Sequence, residues 1–353
     1  MSAYIEACES LERKPWRWLV TGAAGFIGSH LVERLLSLGQ TVVGLDNFAT
    51  GSRRNLDDVT QRVAGAARRF SFIEGDICEP RTCATACRDV DFVLHQAAIG
   101  SVPRSMEDPL GSHLPNVSGF LNVLLAAHGA GVRRVVYASS SSVYGDDTSD
   151  IKREEQLGRT LSPYAATKLI DEIYAGTLAR THGLESLGLR YFNVFGPRQD
   201  PFGAYAAVIP RWTEQLLSGG SCVVYGDGSN SRDFCFVDNV VQANLLAALA
   251  PSPALAAGQF NIACGARTSL LELYAAIRQQ VARVVPEVAE RPLQHEGVRA
   301  GDIPHSLASI ERARELLGYE PAFDVARGLQ QTVAWYAAKT RGVTESAGIL
   351  EAS

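Results

Sequence analysis

Three glycines, Gly22, Gly25 and Gly28, stand at Gly-x-x-Gly-x-x-Gly spacing between an apolar run, 16–20, and an amphipathic run, 26–38, that stops at Gly39. No other stretch constrains the fold as strongly. The first run reads as a strand and the second as a helix. In a strand-turn-helix of this kind one glycine makes the tight turn, one admits backbone N–H groups to a pyrophosphate, and one lets helix pack on strand. The helix N-terminus adds partial positive charge and free N–H donors, which suit phosphate. A second apolar run, 41–45, ends in Asp46. That is about 20 residues on, where an acid would hold the ribose hydroxyls of an adenine dinucleotide. Asp46 repels a 2′-phosphate, so NAD is favoured over NADP; Arg53 and Arg54 nearby are the one feature that points the other way.

The chain has 353 residues, which suggests two domains. With 46% apolar and 20% charged residues it has the composition of an ordinary globular protein. A net charge of −5 without a basic block argues against nucleic acid, and leaves any phosphate to be met by individually placed arginines. No apolar run long enough to span a membrane is free of charge or glycine. Residues 1–14 carry acids and no apolar segment, so no signal peptide is expected, and a cytoplasmic location is. The seven cysteines are odd in number and scattered, which suits reduced thiols. Cys83 and Cys87 could share a helix face, but with no His or third Cys nearby they read as core thiols, and no metal is expected.

After an N-terminal segment that reads as a short helix, strand candidates at 16–20, 41–45, 70–74, 91–95, 133–138 and 186–191 alternate with helix candidates at 26–38, 80–87, 109–129 and 163–182. This alternation predicts an α/β fold, a Rossmann-type doubly wound parallel sheet covered on both faces. The fourth strand runs into Gln96-Ala97-Ala98, whose small residues would let a ligand approach the carboxyl end of the sheet. Beyond Gly196 the alternation loosens. Pro197, Pro201, Gly203 and Pro210 break it, and Gly219-Gly220 and Gly226-Asp227-Gly228 mark turns. A helix over 237–250 and a strand over 258–263 read as a return to the first domain. Residues 15–195 with 236–263 are therefore one domain, and 196–235 with 264–345 a smaller C-terminal α/β substrate domain. Its helices fall near 269–284, 309–317 and 324–338, with a capping box at Ser269 and Glu272 and a C-cap at Gly318. The last dozen residues are expected to fray.

The fifth strand feeds four serines, Ser139 to Ser142, then Val143-Tyr144-Gly145. A helix starts at Ser162-Pro163, an N-cap followed by an N1 proline, and carries Tyr164 and Lys168 on one face. A phenol with its usual pKa near 10 is a poor base at neutrality. A lysine ammonium beside it, with a positive nicotinamide ring, stabilises the phenolate. The tyrosine can then take a proton from a sugar hydroxyl while hydride leaves the same carbon, and a serine hydroxyl can bridge to the same oxygen.

Taken together, Thr-Gly-x-x-Gly-Phe-Ile-Gly (21–28), Leu-Asp-Asn-Phe-x-x-Gly (45–51), Gly-Asp-Ile (75–77), Ser-Ser-x-x-Val-Tyr-Gly (139–145), Tyr164-x-x-x-Lys168 and Arg190-Tyr-Phe-Asn-Val-Phe-Gly-Pro197 resemble the extended short-chain dehydrogenase/reductases over residues 14–340. The chain is most similar to NAD-dependent nucleotide-sugar 4-epimerases, in particular bacterial UDP-N-acetylglucosamine 4-epimerases of surface-polysaccharide pathways. The resemblance implies that Gly22, Gly25, Phe26, Ile27 and Gly28 hold the NAD pyrophosphate, that Asp46 and Asn47 stand at the adenosine ribose, that Asp76 and Ile77 flank adenine, and that Gly51 and Gln96 also contact the cofactor. Ala97, Ala98, Tyr191 and Val194 would line the route to nicotinamide, Lys168 would also contact the cofactor, and Asn116, counted with the cofactor residues, would brace the site. Tyr164, Lys168 and Ser140 would be catalytic. Asn193 would bind substrate phosphate or sugar, Arg232 and Arg299 would clamp the UDP diphosphate, and Ser142, Val208, Tyr225 and Asp302 would complete the substrate site.

The same resemblance sorts the reaction. Sugar 4,6-dehydratases carry an Asp-Glu pair after the catalytic hydroxyl, where this chain has Ser141 and Ser142, and the glutamate of UDP-glucuronate decarboxylases is absent there too. Ser306 stands where UDP-galactose 4-epimerases of narrow specificity carry a tyrosine, leaving room for an N-acetyl group; Gly100, Ser101, Gln199 and Ala207 match other positions of the acetamido-sugar group. The reading implied is reversible 4-epimerisation of UDP-N-acetylglucosamine to UDP-N-acetylgalactosamine through a 4-keto sugar. The alternatives are a UDP-glucuronate, UDP-N-acetylglucosaminuronate or UDP-glucose 4-epimerase, and, in a different class, a non-catalytic NAD-sensing protein. The resemblance also implies a homodimer built on helices 109–129 and 163–182.

Overall fold

Apolar runs of five or six residues, each cut off by glycine or a polar turn, are too short for helices and too apolar for an exposed sheet face. In the computed structural model, which describes residues 2–203, 206–297 and 305–351, they become parallel strands, buried except for 70–74, which is a partly exposed edge strand. The strands are β1 (Arg17–Thr21), β2 (Thr41–Asp46), β3 (Phe70–Glu74), β4 (Phe92–His95), β5 (Arg134–Ser140) and β6 (Ser186–Tyr191). With Gln259–Ile262 they make a seven-stranded sheet in the order 259–262, β6, β5, β4, β1, β2, β3. All its pairings are parallel, and Thr21 lies opposite Leu45 on one side and His95 on the other.

The helices between the strands are α1 (Ala3–Arg13), α2 (Phe26–Ser37), α3 (Arg53–Arg62), α4 (Pro80–Ala86), α5 (Val102–Glu107), α6 (Pro109–His113), α7 (Phe120–Gly129) and α8 (Pro163–His182). Leu19, Val93 and Val135 from the strands meet Phe120, Val123 and Leu124 of α7 and Cys83 and Cys87 in one buried cluster. All seven cysteines are free thiols. No helix among the described residues is long and apolar enough to cross a membrane.

One sequence expectation is corrected here, and one helix was not foreseen. The run 109–129 is not one helix. A π-helical stretch, Leu114–Gly119, separates α6 from α7. Pro115 has no N–H for the regular ladder, and the widened turn accommodates it. Helix α3 was not foreseen, because Leu56 and Val59 are its only buried side chains and its pattern is nearly all polar. The final helix spans Val325–Glu351. The caps behave as their residues dictate. Ser162 accepts the Ala165 N–H at the start of α8, Ser269 and Glu272 form the reciprocal capping box, and Gly318 takes the left-handed conformation, φ +68°, that ends a helix. Helix α1 is tied to the sheet layer. Arg34 Nε donates to Tyr4 Oη at 3.1 Å, and Gln40 Nε2 donates to the Leu11 carbonyl at 2.7 Å.

The chain divides into two compact units. The first comprises residues 1–192, 237–263 and 308–322, and the second 193–236, 264–307 and 323–353. The second holds three small strand pairs, 194–195 with 235–236, 231–232 with 268–269, and 223–225 with 294–296, with helices Val208–Leu217, Leu270–Val281 and Val325–Glu351.

Candidate active site

Strand order reverses between β1 and β4: from β1 the chain adds strands outward through β2 and β3, and from β4 through β5 and β6 the other way. Loops leaving the two strands diverge there, which opens a crevice at the carboxyl end of the sheet. One cavity lies in that position, lined by Gly22 and Gly25 after β1, Asp46 and Asn47 after β2, Asp76 and Ile77 after β3, and Gln96, Ala97 and Ala98 after β4. Nine of the expected cofactor residues thus share one lining. Phe26, Ile27 and Gly28 on the first turn of α2, and Gly51, lie beside it.

The glycines are required by space. Gly22 has φ +67°, and a Cβ on it would lie 2.8 Å from the Ala97 nitrogen; a Cβ on Gly28 would lie 2.0 Å from the Gly22 carbonyl oxygen. The Asp46 carboxylate is oriented by backbone, accepting from Ala24 N–H at 2.9 Å and Phe48 N–H at 2.7 Å. Burial nevertheless pushes its pKa up, against those two N–H groups. Asn47 Nδ2 donates to Asp76 at 2.9 Å, linking the ends of β2 and β3. A turn that a side chain would fill, a helix N-terminus above it and a fixed carboxylate about 20 residues on fit an adenine dinucleotide.

Asn116 projects from the π-helical stretch, fully buried. Its Oδ1 accepts the Ile99 N–H at 2.7 Å, and its Nδ2 donates to the Ile99 carbonyl at 3.1 Å and to Thr167 Oγ1 at 3.1 Å. These bonds brace the loop after β4 against α8. Tyr191 makes a similar brace: its hydroxyl donates to Gln96 Oε1 at 3.1 Å and accepts from Asn244 Nδ2 at 2.9 Å.

Tyr164 and Lys168 stand one turn apart on α8, Tyr164 half-buried and Lys168 2% exposed. Ser105 Oγ accepts the Tyr164 N–H at 3.0 Å, which fixes the first turn of α8 against α5. Lys168 Nζ donates to Asp171 Oδ2 at 3.2 Å. Ser140 ends β5, and its hydroxyl accepts the Ser142 N–H at 3.2 Å. Its neighbour Ser139 points the other way and donates to Glu172 Oε1 at 2.6 Å. Beneath them His95 is 1% exposed, with Nδ1 2.8 Å from Thr21 Oγ1; burial, and then the charge of Lys168, push its pKa down to about 3. Gly100 is exposed, and Ser101, at φ +99°, accepts the Arg104 N–H to cap α5.

The second unit has its own cavity, of about 190 Å³, lined by Asn193, Val208, Tyr225 and Arg232 of the expected substrate residues. Arg211, Trp212, Phe234 and Leu270 join them. Asn193 Nδ2 donates to the Asp233 carbonyl at 3.0 Å, and the buried Asp233 carboxylate accepts the N–H groups of Cys264 and Gly265, each at 2.9 Å. These bonds set the strand that carries Arg232. Arg211 was not foreseen, since a single arginine on an amphipathic helix carries no signal of its own. Gln199 donates to the Val194 carbonyl at 3.3 Å, outside that lining, and Ala207 is the exposed residue before helix Val208–Leu217. Ser306 N–H donates to the Ser231 carbonyl at 3.1 Å. Arg299 and Asp302 lie outside the described residues.

The profile of the NAD dependent epimerase/dehydratase family matches residues 18–263. A UDP-glucose 4-epimerase of Mycolicibacterium smegmatis is 39% identical over 92% of this chain and all of its own length. A UDP-glucuronate 4-epimerase of Arabidopsis thaliana is 31% identical over 90% of this chain and 74% of its own. Among solved structures, the UDP-N-acetylglucosamine 4-epimerase of Methanobrevibacter ruminantium in complex with UDP-N-acetylmuramic acid superposes with a TM-score of 0.83 at 33% identity, covering 92% of this chain and 99% of that one.

Proposed function

The chain belongs to the NAD dependent epimerase/dehydratase family and is an NAD-dependent UDP-sugar 4-epimerase; on that premise we propose that its substrate pair is UDP-N-acetylglucosamine and UDP-N-acetylgalactosamine. What supports the choice is that residue 306 is a serine, which by the resemblance stands where narrow-specificity relatives carry a tyrosine, and that its N–H is bonded to Ser231, the residue before Arg232. The relatives named above act on plain, uronic and acetamido sugars alike, so the preference for the acetamido pair rests on this chain's own residues.

In this reading Tyr164 takes the proton of the sugar 4-hydroxyl, and Ser140 holds the same oxygen through its hydroxyl. Lys168, one turn along α8, would stabilise the negative charge that develops on the Tyr164 oxygen in this step. Bound NAD supplies reversible acceptance of hydride from carbon 4. The cavity residues Gly22, Gly25, Asp46, Asn47, Asp76 and Ile77 would hold it, and the small residues Ala97 and Ala98 would leave room for its reactive ring. Asn193, Tyr225 and Arg232 would hold UDP, with Arg211 as a second guanidinium at the diphosphate. Gripping the nucleotide and not the sugar leaves the 4-keto sugar free to turn its other face before hydride returns. Tyr164 then returns the proton to the same 4-oxygen as hydride returns to the opposite face of carbon 4, so nothing is consumed over the cycle.

A homodimer is part of the same reading. What supports it is a surface of exposed apolar side chains on consecutive helices: Met106, Leu110, Leu114 and Leu125 from α5 to α7, and Ile173 and Tyr174 on α8. A role in surface-polysaccharide precursor supply and a cytoplasmic site of action fit a UDP-sugar product.

The experiment is product analysis by proton NMR on UDP-N-acetylglucosamine, UDP-glucose and UDP-glucuronate, with and without added NAD. The acetamido galacto product is expected at the highest kcat/KM. A higher kcat/KM on UDP-glucose or UDP-glucuronate would transfer the assignment to that sugar, and an NAD-loaded but inert protein would favour a sensing role.

A further inference from the structure

Helix α8 buries three ionisable side chains toward the sheet, Lys168, Asp171 and Glu172, where such a helix ordinarily buries apolar ones. Two of the three are accounted for. Lys168 belongs to the proposed catalytic pair. Glu172 is fully engaged, accepting from Arg190 Nε and Nη2 at 2.8 Å each and from Ser139 Oγ at 2.6 Å. Asp171 stands outside that network. Its Oδ2 accepts from Lys168 Nζ at 3.2 Å, the two side chains being 1% and 2% exposed. Its Oδ1 is buried with no hydrogen-bond partner among the described residues.

We propose that Asp171 is a positioning residue of the epimerase, whose carboxylate anchors the Lys168 ammonium from within the core and whose charge sets the pH at which Tyr164 becomes a base. It rests on the roles given to Tyr164 and Lys168 above.

The groups around the pair leave Asp171 as the counterion. On α8 itself, Glu172 has its charge matched by Arg190. On β5, Tyr137 is near enough to feel Asp171, and burial pushes its pKa far up, so it stays a neutral phenol. On β4, His95 faces Lys168 and is neutral above about pH 3. Burial raises the pKa of Asp171 to about 7, against the pull of Lys168, so its charge varies most near neutrality. An ammonium has three donors, so one bond to Asp171 leaves two for a ligand while fixing the chain that presents them. An ammonium beside a carboxylate stabilises a neighbouring phenolate less than a bare one does. Removing the Asp171 charge should therefore let Tyr164 ionise at lower pH.

The test is the pH dependence of kcat and kcat/KM for the full-length NAD-loaded enzyme and its Asp171→Asn and Asp171→Glu variants. The substrate is UDP-glucose or UDP-N-acetylglucosamine, whichever the wild type turns over faster. For Asp171→Asn the acid-side limb should move down by on the order of half to one pH unit. KM should stay within about twofold, since Asp171 does not face substrate, and kcat at the optimum should fall about tenfold as Lys168 loses its anchor. Asp171→Glu, which keeps the charge, should retain the wild-type limb. An Asp171→Asn limb that superposes on the wild type, or one that Asp171→Glu moves equally, overturns the inference. So does failure of both variants to fold, which would make Asp171 a packing residue. A wild type with no epimerase activity on any UDP-sugar would instead remove the roles of Tyr164 and Lys168 on which the inference rests.

Discussion

Gly28 is packed against Gly22 so closely that a Cβ on Gly28 would sit 2.0 Å from the Gly22 carbonyl oxygen. Both contacts are backbone, so neither can swing aside. Gly28→Ala must push α2 away from the turn that forms the cavity. The expected result is a protein purified without NAD and destabilised by about 1–3 kcal/mol, the range for overpacking. Gly39→Ala is the control. Gly39 has φ +77° but open space around it, so the variant should lose about 1 kcal/mol to backbone strain and keep its cofactor. Absorbance of bound cofactor and urea denaturation read both. Equal NAD retention in the two variants would remove the packing role of Gly28.

Arg190 and Glu172 form a buried bidentate ion pair at 2.8 Å, and Arg190 also donates to Tyr144 Oη at 3.1 Å and the Glu154 carbonyl at 3.1 Å. Breaking one side leaves a buried charge alone. Arg190→Met should cost about 3–5 kcal/mol in urea denaturation, and adding Glu172→Leu should recover part of that loss. A double variant as unstable as the sum of the two single ones would show that the remaining bonds, not the pair, are what matter.

Burial holds the pKa of His95 near 3, below its unfolded value of about 6.5. The unfolded chain therefore binds a proton that the folded chain refuses between those two values. The stability that comes with a neutral His95 is complete above about pH 6.5 and is lost as pH falls toward 3. Asp171 works in the opposite sense: its raised pKa makes the folded state the better proton binder from about pH 4 to about pH 7. The two slopes oppose each other in the whole protein, so the histidine is isolated by difference. The stability of wild type minus that of His95→Gln should rise by about 1.4 kcal/mol per pH unit between pH 4 and 6. A difference independent of pH would place the His95 pKa near its ordinary value.

A tyrosine at position 306 should suppress acetamido substrates. Ser306→Tyr is expected to lower kcat/KM for UDP-N-acetylglucosamine at least about tenfold while changing UDP-glucose by less than about threefold, a discrimination of about 0.7 kcal/mol or more. Initial rates on both sugars decide it, and equal losses on both would remove Ser306 from the specificity argument.

The sheet was legible because each strand is a short apolar run with a turn signal at its end, and the glycine spacing after β1 marks where the crevice opens. Caps at Ser162, Ser269 and Gly318 were legible for the same local reason. What was hidden depends on tertiary partners. Pro115 sits in an apolar stretch that reads as one helix, and only the ladder it interrupts reveals the π-helical turn carrying Asn116. Asp171 looks like a surface residue of an amphipathic helix until the sheet covers it. Arg211 acquires meaning from Arg232 and Tyr225, which lie on other elements of the same unit.

Tyr164→Phe tests the central claim most directly, because it removes one oxygen and leaves the helix, its cap and the apolar ring. NAD content and UDP affinity should match the wild type, while conversion of UDP-N-acetylglucosamine, followed by NMR, should fall at least about a thousandfold. A Tyr164→Phe enzyme that still forms the galacto product within about tenfold of the wild-type rate would contradict the assignment of Tyr164 as the proton-transfer residue.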